Sequence, residues 1–206
     1  MSSVVKFNEG PLLLPEDPID GFKSWFDAAV AAQVPEPTAM TLATVSKDGK
    51  PSARVVLYKG IQDGAFRFVT NYQSRKAQEL SANPNVALVF LWPLLHRQVR
   101  VEGVAQKFSS EEAEAYFRTR PRGSQLGAWS SPQSQPIQNR DELVKLIQFN
   151  ESRFEGVETI PCPPFWGGFR VQPQAIEFWE ERAHRVHERI RFTCHESRWT
   201  REQLAP

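Results

Sequence analysis

Hydrophobic positions in this chain recur at two periods, and the switch between them divides it. Behind Asp17-Pro18, the residues Ile19, Phe22, Trp25, Phe26, Ala29 and Val30 follow at helical spacing. Asp17 as N-cap and Pro18 in the first turn predict a helix there, its apolar stripe facing a core. From Ala39 the period shortens to two. Residues 39–45 and 52–58 flank Lys47-Asp48-Gly49-Lys50, whose Asp-Gly pair signals a hairpin. A second turn, Gln62-Asp63-Gly64, leads into residues 65–70, and residues 86–92 and 98–108 read as further strands. About five antiparallel strands on short connections predict a meander or barrel.

Helical patterns punctuate the strands. Residues 74–82 form a short amphipathic stretch that stops before Asn83-Pro84. Ser109-Ser110-Glu111-Glu112 is a capping box opening a helix to about Arg118. Asn139 caps a helix over 140–154, and strands return at 168–171, 175–179 and 189–193. The predicted class is α+β, mainly β: an antiparallel barrel with peripheral helices. Residues 1–16 read as an irregular, Pro-interrupted segment and 17–206 as a single domain.

Composition narrows the function classes. A net charge of +1 with 40% hydrophobic residues argues against a disordered acidic chain and against a nucleic-acid binder. Cys162 and Cys194 are too few for a disulfide framework, and the four histidines show no metal-ligand spacing. The longest apolar run, 86–95, is about half a membrane span, and no signal-peptide pattern precedes it. The expectation is a soluble cytoplasmic protein without a metal, a membrane or a nucleic-acid partner. Within the 25 basic residues, arginine outnumbers lysine 17 to 8. Arginine's planar fork suits phosphate and carboxylate, so the bias favours anion recognition.

Four segments carry candidate chemistry. In Thr70-Asn71-Tyr72-Gln73-Ser74-Arg75-Lys76 a strand runs into a helix whose first turn is cationic, against the macrodipole unless an anion sits there. Arg54-Val55-Val56-Leu57-Tyr58-Lys59 is an apolar strand with a cation at each end, with Arg54, Val56 and Tyr58 on one face. Tyr116, Arg120 and Ser124 combine two hydroxyls with a guanidinium, a set suited to a phosphate monoester, and Tyr116 and Arg120 share a face if the helix extends that far. Alternation from Arg185 through His187 to Arg189 predicts a cationic stripe on one strand face. Each segment alone also reads as ordinary surface or sheet.

Together they resemble the pyridoxamine 5'-phosphate oxidase family. The resemblance rests on Arg54–Lys59, Ser74-Arg75-Lys76, Arg97-Gln98-Val99, Tyr116–Gln125 with Gly127-Ala128-Trp129, Gln133-Ser134, Phe165-Trp166-Gly167-Gly168, Glu177-Phe178-Trp179, Arg185-Val186-His187-Glu188-Arg189 and Leu204-Ala205-Pro206, in the family's order. It implies an FMN-binding split β-barrel working as a homodimer, with two FMN sites at the subunit interface. The implied FMN ligands are Arg54, Val55, Val56, Leu57, Tyr58, Lys59, Val69, Thr70, Arg75, Lys76, Gln98, Gln133, Ser134, Trp179 and Arg189. Substrate positions are implied at Lys59, Tyr116, Arg120 and Ser124 around its phosphate, and at Arg185 and His187 beside its ring, these two as the catalytic pair. The implied reaction is oxidation of pyridoxamine or pyridoxine 5'-phosphate to pyridoxal 5'-phosphate by dioxygen, giving hydrogen peroxide, and ammonia from the amine. Another flavin oxidase, or a non-catalytic binder of FMN or pyridoxal phosphate, is the alternative on the same barrel.

The chain departs from the family pattern in three places. Residues 1–16 contain neither the Arg nor the Tyr of the lid that closes over substrate in many relatives. Glu180-Glu181-Arg182-Ala183 replaces a Gly-containing turn, with the expectation that Arg185 enters the site differently and that the two carboxylates oppose an anionic ligand. Glu188 stands where Asp is usual.

Overall fold

The computed structural model describes residues 10–206; positions 1–9 of the expected irregular segment lie outside the described residues. Helix α1 (Pro18–Ala31) starts as predicted, with the Asp17 carboxylate accepting from the Ile19 N–H at 2.7 Å. Phe22, Trp25 and Ala29 are buried, whereas Val30, expected on the same face, is 50% exposed. It lies one residue, about 100°, past the Ala29 edge of the stripe.

The strands are β1 (Ala39–Val45), β2 (Pro51–Leu57), β3 (Ile61–Gln62), β4 (Ala65–Asn71), β5 (Asn85–Trp92), β6 (Arg97–Lys107), β7 (Trp166–Glu180), β8 (Glu188–His195) and β9 (Arg198–Leu204). They pair antiparallel in the order β2-β1-β5-β6-β7-β4-β3, with β8 on β7 and β9 on β8. Strand β7 holds the two wings together. Its first half pairs β4, its second half pairs β8, and residues 169–180 pair β6. The sequence pattern predicts two strands here, 168–171 and 175–179, on either side of Pro173. The ladder absorbs the proline at a register shift between Glu102 and Gly103. Gly103 is required there, since a Cβ would sit 2.2 Å from the Gln172 carbonyl oxygen.

Helices α2 (Arg75–Ala82), α3 (Ser110–Arg118), α4 (Arg122–Ser130) and α5 (Arg140–Arg153) flank the sheet. The Ser109 capping box and the Asn139 cap form as expected. Two expectations need correction, and one strand lay outside them. Helix α3 ends at Arg118, so Tyr116 and Arg120 are not on one continuous helix face; Pro121 starts α4 instead. Ala183–Arg185 is a 3₁₀ turn with His184 and Arg185 left-handed, so strand alternation does not place Arg185, His187 and Arg189 on one face. Strand β9 follows a tight turn through Glu196 and Ser197, both at positive φ, where no glycine marks it.

Phe22 packs edge-on against Phe66 and Phe90, with ring centroids 4.8 Å away in each case, at the centre of the main core. A second cluster of Phe117, Phe154, Ile160 and Trp166 seats α3 to α5 against the start of β7. Among the described residues no helix is long and apolar enough to cross a membrane.

Candidate active site

The ends of β2 and β4, the start of α2 and the α3–α4 connection converge on a cavity of about 500 Å³, within the range of small-molecule sites. Arg54, Val55, Val56, Leu57 and Lys59 line one side, Val69, Thr70 and Lys76 another, and Tyr116, Arg120, Ser124 and Gln133 complete it.

Lys76 sets the electrostatics of the α2 end. Its ammonium is buried and donates to Thr70 Oγ1 (3.2 Å), Ser74 Oγ (3.4 Å) and Gln133 Oε1 (3.2 Å), all neutral acceptors. Burial first, and then the nearby Arg54 cation, hold its pKa below the usual lysine value. Ser74 occupies the N-cap position of α2 but makes no side-chain cap; its hydroxyl lies beside Lys76 and Thr70 instead. A helix start without that cap, beside a buried cation, is built for an anion.

The other two cations of that end are tied to a buried carboxylate. Glu79 Oε2 accepts from Thr44 (2.5 Å), Ser52 (2.7 Å) and Arg54 (3.1 Å), and Oε1 accepts from Arg75 Nε (2.8 Å). Burial pushes this carboxyl up, and the hydrogen bonds outweigh it, leaving its pKa at about 2. Arg54 reaches the cavity from this network, whereas the Arg75 side chain is 63% exposed and is not part of the lining.

Arg118, Arg120 and Arg122 alternate along the α3–α4 connection, and geometry separates them. Arg118 pairs with Glu114 at 2.7 Å, and Arg122 donates to the Val157 and Phe154 carbonyls. Only Arg120 faces the cavity, its guanidinium 4.6 Å from the Trp166 ring centroid. Its Nη1 is buried without a hydrogen-bond partner among the described residues, and desolvation lowers its pKa. A buried orphan donor of this kind marks a ligand position.

Residues 26–149 match the family profile described as pyridoxamine 5'-phosphate oxidase, and residues 166–206 match that of the pyridoxine 5'-phosphate oxidase C-terminal dimerisation region. The chain belongs to the pyridoxamine 5'-phosphate oxidase family. It is 53% identical over 190 residues to the pyridoxine/pyridoxamine 5'-phosphate oxidase of Rubrobacter xylanophilus, covering 92% of this chain and 87% of that one. With the Cupriavidus necator protein of the same name the identity is 56% over 176 residues, covering 85% and 82%. Among solved structures, PhzG from Burkholderia lata in complex with tetrahydrophenazine-1-carboxylic acid superposes with a TM-score of 0.88 at 30% identity, covering 93% and 94%. A pyridoxamine 5'-phosphate oxidase-related FMN-binding protein from Nostoc punctiforme shares the fold, with a TM-score of 0.71 at 18% identity, covering 94% and 100%.

Four of the remaining implied positions form a second group, outside the cavity lining. Gln98, Trp179 and Arg189 stand in register across β6, β7 and β8, and the His187 ring lies 4.6 Å from that of Trp179. Arg189 donates to Glu177 (2.9 Å) and to the Ala205 carbonyl (2.9 Å). Arg185 is exposed, as is Ser134, while Tyr58 packs into the main core beside Phe22, Phe66 and Phe90. Burial raises the Tyr58 pKa to about 12, the mark of a core phenol.

The expected opposition from Glu180 and Glu181 does not arise. Glu180 is buried between Arg97 (2.8 Å) and Arg182 (2.6 Å), and Glu181 pairs with His96 (2.8 Å). Thr119 and Pro121 line the cavity without having stood out in the sequence. Glu79 was detectable only as the i+4 partner of Arg75, and Glu177 stood out only within the segment Glu177-Phe178-Trp179 that carries the family resemblance.

The residues present fit the family's FMN. Val55, Val56, Leu57 and Val69 offer an apolar wall for a flat ring, and buried Lys76 lacks a carboxylate within ion-pairing distance among the described residues. A phosphate supplies the missing charge.

Proposed function

We propose that this protein oxidises pyridoxamine and pyridoxine 5'-phosphate to pyridoxal 5'-phosphate with dioxygen, as a homodimer with two FMN sites at the subunit interface. One observation carries the reading. A single cavity holds two cationic centres short of a counter-ion, Lys76 and Arg120, which suits one phosphate on the cofactor and another on the substrate.

FMN, when bound, supplies acceptance of a hydride from the substrate's exocyclic carbon and reoxidation by dioxygen to hydrogen peroxide. The chain's own residues bind and align. Lys76, Thr70 and the α2 start hold the cofactor phosphate, Arg54 and Gln133 flank it, and Val55 to Leu57 with Val69 bed the ring. Arg75 contributes from the rim once it exchanges Glu79 for phosphate. Arg120, Tyr116, Ser124 and Lys59 anchor the substrate phosphate, so binding energy far from the reacting carbon fixes its position. Arg185 holds the substrate ring and steadies negative charge developing beside it, while His187 orients the ring.

The second group of residues, with Arg185, favours a dimer. Gln98, Trp179, Arg185, His187 and Arg189 are outside this chain's cavity lining, and a second copy brings its own set to it. Val55 (66% exposed), Leu57 (43%) and Leu91 (57%) lie on one face of the β2-β1-β5 sheet, by the pairing of Thr41 with both Val55 and Val89. An apolar sheet face of this kind suits burial against a partner copy.

The likeness to the phenazine-bound structure favours a second reading, a flavin oxidase of a phosphate-free tricyclic substrate. The orphaned Arg120 argues for the phosphate. Aerobic incubation of the FMN-loaded protein with pyridoxamine 5'-phosphate tests the choice. Equimolar pyridoxal 5'-phosphate and hydrogen peroxide support the reading; absence of product with both the amine and the alcohol overturns it.

A further inference from the structure

We infer that the Arg97–Glu180–Arg182 ion network is a positioning device that fixes His187 as the tautomer with its proton on Nε2, presenting a hydrogen-bond donor to the substrate. The inference rests on the reading of His187 as a substrate-facing residue.

The tautomer follows from one hydrogen bond. The Arg182 main-chain N–H donates to His187 Nδ1 at 3.2 Å. A main-chain N–H can only donate, so Nδ1 holds a lone pair and the proton of the neutral ring is on Nε2. The ring is held from the side by Trp179, with centroids 4.6 Å apart and planes at 45°. A ring so placed offers Nε2–H to an acceptor such as the phenolic oxygen of a B6 vitamer, and is not set up to take a proton at Nδ1.

That hydrogen bond depends on where residue 182 sits, and the turn around it carries backbone strain. His184 and Arg185 both adopt left-handed conformations without being glycine. Glu180, at the end of β7, holds the turn from one side. Its buried carboxylate joins Arg182 Nη1 at 2.6 Å to Arg97 Nε at 2.8 Å, and Arg97 in turn stacks 4.4 Å from the Trp25 ring of α1. The other Arg182 nitrogen, Nη2, donates to the Gly10 carbonyl at 2.9 Å. The neighbouring Glu181 N–H donates to the His96 carbonyl at 2.9 Å, pinning the same turn to the β5–β6 connection. Where the sequence replaces a flexible Gly-containing turn, the chain thus substitutes side-chain anchors for backbone freedom. The same arrangement accounts for the acidic pair at 180 and 181, which serves the turn and not the ligand.

Nitrogen-15 NMR of histidine-labelled, FMN-loaded protein at neutral pH tests the tautomer without turnover. The expected spectrum shows His187 Nδ1 as the unprotonated, pyridine-type nitrogen and Nε2 as the protonated, pyrrole-type one. Arg182→Ala should mix the two tautomers and raise the substrate KM about three- to tenfold, the scale of one hydrogen bond, with flavin content unchanged. Arg182→Lys, which keeps a cation for Glu180, should restore much of both. Glu180→Gln, which retains the shape of the buried side chain, should move both readouts the same way and serves if Arg182→Ala does not fold. A wild-type proton on Nδ1, or an Arg182→Ala protein with unaltered tautomer and KM, overturns the inference. A wild-type protein that turns over no B6 phosphate yet shows the Nε2-protonated ring would sink the proposed function and leave the positioning device standing.

Discussion

Replacing Lys76 by Met should move cofactor affinity and apoprotein stability in different directions. The ammonium is buried against Thr70, Ser74 and Gln133 at 3.2 to 3.4 Å, and no carboxylate pairs with it among the described residues. Its removal costs the bound state a charge-assisted contact of about 1.5–3 kcal/mol, or about ten- to 150-fold in the FMN dissociation constant. The apoprotein loses little, because an apolar chain of similar length avoids desolvating a charge, and Thr70 still donates to Gln133 at 2.9 Å. The pH dependence has a defined sign. The folded-state pKa of Lys76 lies below the usual lysine value of 10.5, so between the two values the unfolded chain binds the extra proton, and apoprotein stability rises as pH climbs through that window. Bound phosphate should oppose this trend, and Lys76→Met should abolish it. Quenching of flavin fluorescence on titration into apoprotein gives the affinity, and thermal melts of apo and loaded protein give the stabilities. An unchanged dissociation constant together with a lower apoprotein melting temperature would show that Lys76 is a structural cation and refute the reasoning.

Arg120→Ala should raise the KM for pyridoxamine 5'-phosphate by an amount equivalent to about 1.5–3 kcal/mol, with flavin binding intact; an unchanged KM in steady-state kinetics would place the substrate phosphate elsewhere. Glu79→Gln should destabilise the apoprotein by about 1–2 kcal/mol in denaturant melts, a range reduced for screening because its partner Arg75 is 63% exposed. Hydrogen bonding holds its carboxyl pKa at about 2, against the usual 4.5. The stability it adds is therefore fully present above about pH 4.5 and fades as pH falls toward 2, a loss the variant should not share. Gly103→Ala should cost about 2–3 kcal/mol, since the added Cβ meets the Gln172 carbonyl oxygen at 2.2 Å; a variant as stable as the parent would show that the β6–β7 bulge yields.

Local chemistry made α1, the first hairpin and the capped starts of α3 and α5 legible, because each is written in adjacent residues: Asp17-Pro18, Asp48-Gly49, Ser109 with Glu112, and Asn139. The cavity lining was legible for a similar reason, since Arg54 to Leu57 with Lys59, and Thr70 with Lys76, come from two short runs whose ends the fold brings to one place, while Tyr58 and Arg75 of the same runs lie outside it. What stayed hidden depends on distant pairing. Arg120 was singled out from its neighbours, but what turns it to the cavity was not visible: α3 stops at Arg118, Arg118 pairs with Glu114, and carbonyls in the 154–157 segment hold Arg122. The β6–β7 register brings Arg97 opposite Glu180, and Arg100 opposite Glu177, so neither pair leaves a local mark. The turn through Glu196 and Ser197 and the bend at His184-Arg185 lack glycine, so positive φ there had no residue-level signal.

The most direct test of the central claim is anaerobic mixing of FMN-loaded protein with pyridoxamine 5'-phosphate while the flavin's visible absorbance is followed. The account predicts bleaching as pyridoxal 5'-phosphate forms, and return of the colour when air is admitted. A flavin that stays oxidised with both the amine and the alcohol phosphate would contradict it.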